Sequence, residues 1–436
     1  IMGSNAGDSL TTGTTSVAIG SNALHTATTA TGNTAIGYQA LDICTGSNNT
    51  AIGIDALGSC TTGTLNVAIG PIAGDNLTTA NELIAIGYNA GGGIYAGDVT
   101  GNVGIGYQSL HGPMNGANYN VALGYVALSV VTTGDTNIGI GVSAGTDITT
   151  GSDNTIVGSS AGVLMTTTSN TVLIGKSTGA AINSADADGT IAIGYQALQD
   201  LTSGQNNTAV GYRALADLTT GVGNTSVGFG ALDVIPTGND NTALGWGAGG
   251  STSNTTGTNN TFIGSSAGNQ IINRNDNTFV GYRAGTTNRA GASSTIIGSH
   301  AGFDPKGATY SGSYNLFAGY GAGLYTGGDA VVALGAYAGY NATGSANTFV
   351  GKSAGQGGTT SAPYSSGENN TAIGYEALKR FTSGQNNTAL GKGALAYVTT
   401  GGSNIGIGYQ AGSNTTTATG NIYIGRSTGN NNNSGI

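Results

Sequence analysis

The chain has 436 residues, 81 of them glycine; only 7% are charged, and 11 Lys and Arg against 20 Asp and Glu give a formal net charge of −9. Charge spread this thinly, with no basic run, excludes the electrostatic footprint of a nucleic-acid binder. Neither a signal peptide nor an apolar run long enough to insert into a membrane is legible.

From Gly3, Gly20, Gly37, Gly53 and Gly70 through to Gly391, Gly408 and Gly425, one phrase of about 17 residues recurs in 25 copies. It is clearest from Asn207 to Leu215 and from Asn387 to Leu395. A period this short, held this long, predicts a solenoid. No linker or change of texture divides the chain, so residues 1–436 are expected to form a single continuous repeat domain. Glycine-rich disorder would not keep apolar columns in register.

The residue before each anchoring glycine is aliphatic, as in Ile19, Ile36, Val157, Ile193, Leu244 and Ile424, with Ala318 the exception. Three before it stands Val, Ile or Thr (Val17, Thr34, Val121, Thr208, Ile405), with Leu316 the exception. Branching at Cβ favours extended backbone, so each copy contributes a short strand. The fold expected is all-β, a parallel β-solenoid of about 25 coils. Coils stacked at roughly 4.8 Å would give a rod about 115 Å long. The columns one and three before the glycine share one strand face, expected to fill the interior. Alanine three after the glycine and apolar residues seven after it (Leu77, Val131, Leu201, Leu218, Phe381, Val398) would close a thin core.

Two further columns compensate in size. Copies that are large two before the glycine (Ile1, Ile156, Leu173, Phe262, Phe279, Ile296, Phe317, Phe349, Tyr423) have Gly four after it, and copies with Leu four after it (Leu24, Leu41, Leu198, Leu378) are small two before. Overfilled interiors are penalised, so the two positions are expected to share a pocket. Because this column lies on the face opposite the supposed interior, a second chain is the expected cover. Phe262, Phe279, Phe317 and Phe349 are then expected at subunit boundaries of a homotrimer or filament.

Along the chain, His25 and His111 sit five after their glycines but in distant coils, and His300 stands elsewhere in its repeat. No triad, phosphate loop or regularly placed Asp emerges, and no carboxylate pair repeats. The expectation is therefore not an enzyme, with no cofactor and no metal. Cys44 and Cys60 both fall seven after a glycine, which makes their sulfurs neighbours in successive coils. A disulfide along the stack and two small buried hydrophobes both fit. Asn four before the glycine (Asn33, Asn49, Asn66, Asn154, Asn224, Asn387) suits a ladder of amides bonded along the stack. An aromatic often follows the glycine, as in Tyr38, Tyr107, Tyr195, Tyr212 and Trp246. This column suits a lid, a subunit contact or a platform for sugars. Insertions cluster in the turn before the next Asn; the longest, around Asp304, Pro305, Lys306 and Tyr310 and around Pro363 and Tyr364, put Tyr310 and Tyr364 among the candidate surface contacts. The chain stops in Asn430 to Asn433 and Ile436 without a polar capping coil, so a segment of a longer polypeptide is expected.

The phrase from Val17 to Ala23, repeated from Val67 to Ala73, resembles the head repeats of trimeric autotransporter adhesins. The phrase from Thr34 to Leu41, and from Ile191 to Leu198 with Ile for Thr, is similar to the repeats of phage tail fibres. The resemblance implies a left-handed parallel β-roll, three chains side by side, and attachment to a surface. The function expected is a structural fibre or adhesin rod, extracellular, on a cell surface or on a virion. Its partners would be further copies of itself and a cell-surface glycan or protein receptor. A homopolymeric extracellular filament and an ice-binding or lattice-templating solenoid are the alternatives.

Overall fold

The computed structural model describes residues 2–93, 98–250, 256–270, 274–286, 291–304, 312–358 and 364–429. Among them are 24 strands of three residues each, from Val17–Ile19 to Ile422–Ile424, and one 3-10 turn at Ala185–Ala187. The chain forms two compact units, 1–223 and 224–436. In the first, the strands from Val17–Ile19 to Thr208–Val210 each pair in parallel with the next in sequence. In the second, the strands from Thr225–Val227 to Ile422–Ile424 do the same. Register advances by one copy per step: Val17 lies beside Thr34, Ala18 beside Ala35 and Ile19 beside Ile36. The protein is a parallel β-solenoid.

Two devices hold successive coils together. Backbone ladders run from coil to coil, as where the Val17 N–H donates to the Asn33 carbonyl and the Gly37 N–H to that of Ile19, both at 2.8 Å. The amide ladder is the second device. The Oδ1 of Asn49 accepts from the N–H of Asn66 and from its Nδ2 at 3.0 Å, while that Nδ2 also donates to the Ala80 carbonyl at 2.7 Å. These asparagines are fully buried, so each bond made satisfies a polar group that would otherwise be costly inside.

The strand faces are the reverse of the expectation. Ala18 is 1% exposed, whereas its neighbours Val17 and Ile19 are 43% and 39% exposed. The same alternation, middle residue buried and flanks outward, holds in strand after strand. The column two before the glycine is therefore the interior one. Phe262, Phe279, Phe317 and Phe349 are sealed inside the coil, which withdraws them from the subunit boundary. Size compensation is an interior packing rule. The ring of Phe262 occupies the space beside two glycines, so a β-carbon added at Gly249 would come within 2.6 Å of it and one at Gly268 would overlap it. In a coil of the other kind, Leu128 fills the same volume, 2.6 Å from where a β-carbon on Gly139 would stand. Alanines such as Ala23 and Ala40, and the column of Leu77, Val131, Leu201, Leu218, Phe381 and Val398, complete the core as expected.

Each ring thus needs glycine four after the anchor in its own coil and in the coil before. For Ala192→Phe, the preceding coil already supplies Gly179, and the obstacle is the buried Leu198. The single substitution should destabilise the first unit by about 1–3 kcal/mol through overpacking. Adding Leu198→Gly should recover much of that loss in denaturant unfolding. A double variant no more stable than Ala192→Phe alone would mean that the two columns do not compete for one pocket.

Candidate functional site

The aromatic column following the anchoring glycine faces outward. Tyr88, Tyr107 and Tyr125 stack in succession with ring centroids 5.4 and 5.1 Å apart and planes within 12° and 8°. Tyr195 and Tyr212 stack at 5.2 Å, and Phe229 and Trp246 lie near-parallel at 6.3 Å. A backbone rise close to the stacking distance of rings makes this the natural arrangement of one aromatic per coil. Tyr38 is exposed as well, and Trp246 is the most exposed of the column at 59%. Tyr364 is not a surface residue: it is 6% exposed, its ring stacked 5.4 Å from that of Tyr325. Tyr310 lies outside the described residues.

Beside Trp246 the surface opens into a cleft of about 490 Å³ lined by Trp246, Ser266, Asn269, Gln270, Arg283, Thr286 and Phe303. In the coils leading up to it two side chains are missing. Two residues after the anchor most copies carry Gln, Asn, Ser or Arg, but Gly230 and Gly247 follow one another in successive coils. A β-carbon on Gly230 would meet nothing within 4 Å, and one on Gly247 only Asn269 Nδ2 at 3.7 Å. Of the lining residues, only Trp246 was among the surface contacts expected from the sequence. The Arg283 guanidinium lies over the rings of Tyr282 and Phe303, at 5.3 and 5.7 Å. No carboxylate among the described residues forms an ion pair with it. His300 packs edge-on against Tyr282 and Phe303. Burial, with the Arg283 charge nearby, holds its pKa below the ordinary histidine value.

The remaining sequence candidates have structural settings. Cys44 and Cys60 are neighbours, buried and free, with sulfurs 2.8 Å apart. The hydrogen bond to Cys60 and burial push the Cys44 thiol up. A thiol reagent should therefore label neither cysteine in the folded chain and both after denaturation; labelling of the native protein would show that these coils open. His25 lies between Asp8 and Asp42 of adjacent coils, at 3.5 and 3.4 Å. Such partly exposed pairs contribute little stability. Turn threonines donate their hydroxyls to the next coil, as Thr61 to the Thr78 carbonyl at 2.9 Å. Among the described residues, no group of three or more His, Cys, Asp or Glu is placed to hold a metal, and no helix is long and apolar enough to cross a membrane.

Fold and surface together define a parallel β-solenoid with an exposed aliphatic strand face, an exposed aromatic column and, in the second unit, a cleft walled by Trp246 and Phe303. No protein-family model matches the chain, and a search of curated proteins finds no match either.

Proposed function

We propose that this chain is a structural fibre or adhesin segment, exported or virion-borne, which assembles with copies of itself and projects or mediates attachment to a cell surface. The observation that carries the reading is the strand face formed by the columns one and three before the glycine. Val17, Ile19, Ile52, Ile69, Ile84, Leu123, Ile138, Ile174, Ile191 and Ile193 are all exposed in the first unit, and Leu244, Ile263, Ile297, Ile373, Leu390 and Ile407 in the second. Twelve strands per unit, stepped by about 4.8 Å and about 10 Å wide, present roughly 550 Å² in each unit. That is near the upper end of what soluble monomers leave uncovered in one patch.

Side-by-side packing of copies covers this face, in a homotrimer as the resemblance implies, or in a filament built on the same contact. The lattice-templating alternative is less supported, because Thr61, Thr132 and Thr149 direct their hydroxyl protons to the next coil's carbonyl and not outward. Light scattering at micromolar concentration tests the reading. A particle of three times the 42.4 kDa chain mass, or a larger filament, is expected, and a monodisperse monomer would overturn it.

A further inference from the structure

We propose that the cleft beside Trp246 binds a saccharide that carries a carboxylate, a uronic acid unit of a polysaccharide being the simplest form. The proposal rests on the attachment reading and gives it a ligand class. Its volume of about 490 Å³ falls within the 300–1,000 Å³ of small-ligand sites. The lining divides the work by chemistry. Trp246 and Phe303 are the aromatic walls, and Trp246 is 59% exposed. An indole face of that kind covers the apolar C–H face of a pyranose. Asn269, Gln270 and Ser266 bring amide and hydroxyl groups to the same opening, the donors and acceptors that neighbouring ring hydroxyls need.

Arg283 sets the class within the sugars. Its guanidinium is held over Tyr282 and Phe303, has no carboxylate partner among the described residues, and presents a fork suited to a carboxylate. His300 packs edge-on against Tyr282 and Phe303, its pKa held below the ordinary histidine value by burial and by Arg283 itself, and among the described lining residues Arg283 is the cation. The net charge of −9 is spread over the whole chain, and exposed charges beyond about 8 Å are largely screened at physiological ionic strength; the nearby Asp304, next to Phe303, is buried.

Trp246 is the chain's single tryptophan, so its fluorescence reads this cleft directly. Titration of the full chain with sodium glucuronate and with a glucuronate-containing oligosaccharide should give a saturable change in emission. Glucose and neutral disaccharides should give a much weaker one, and sodium sulfate at equal ionic strength none. Arg283→Gln should weaken glucuronate binding at least about tenfold, the worth of one charge-assisted contact. Gln270→Ala should weaken acidic and neutral sugars alike, and an unchanged circular dichroism spectrum excludes unfolding for either variant. The proposal is overturned by an equal response to neutral sugars, by the same response to sulfate, by indifference to Arg283→Gln, or by no response to any saccharide. Light scattering on the same sample separates the two readings: an assembled chain with a silent tryptophan sinks the cleft alone, and a monomer that binds glucuronate sinks the assembly alone.

Discussion

Gly194→Ala is expected to destabilise the first unit by more than about 3 kcal/mol, among the largest effects of any single methyl group in this chain. Gly194 has φ +137°, and a β-carbon there would overlap the carbonyl oxygen of Gly211 in the next coil. Side chains are almost never found in this backbone region. The obstacle is backbone, so no rotamer change relieves it. Gly116→Ala is the matched control: φ is +84°, but a β-carbon would meet nothing within 4 Å, and about 1–2 kcal/mol of conformational cost is expected. Denaturant unfolding of the two variants decides the matter. If Gly194→Ala costs no more than Gly116→Ala, close stacking of the anchors is not what demands glycine.

The second large effect concerns assembly. Lysine at Ile69, Leu123 and Ile193 together should reduce the particle mass to that of the single chain. These side chains are 37%, 44% and 36% exposed, so the coil itself should unfold at nearly the same denaturant concentration. In an assembly, each lysine would bury a charge without a partner, which costs several kcal/mol. Lysine at the interior Ala68, Ala122 and Ala192 should instead abolish folding. An assembly that survives the outward lysines would move the subunit contact to another face, the aromatic column being the next surface to test.

The period, the strand positions and the amide ladder were legible in the sequence because they are local or strictly repeated. Val17, Thr34 and Thr50 are β-branched, and all begin strands. Asn33, Asn49 and Asn66 recur at one place per coil, where one turn's amide must meet the next. The pairing of Phe262 with Gly268 was visible too, as a rule about volume. What it meant was misread. A short strand apolar on both faces does not announce which face is interior, and consistent aliphatic character suggested the columns of Val17 and Ile19. The better signal was the compensation itself, since an exchange of Ala with Leu for Phe with Gly conserves the volume of an enclosed space. A surface column has no volume to conserve.

The cleft was less legible because its lining is drawn from four successive coils. Gly230 and Gly247 read as two more glycines in a chain with 81 of them, and only the structure shows open space where their side chains would stand. Arg283 and Phe303 lie 20 residues apart and in different columns, yet the coil return brings guanidinium and ring within 5.7 Å. By itself the sequence determined the coil, its repeat and the glycine at each corner, because backbone sterics and periodicity act within a few residues. The tertiary structure alone decided which face of each strand is enclosed and where side chains of different coils converge. Those depend on how 17-residue loops close in three dimensions, a distance relation that no column of a repeat contains.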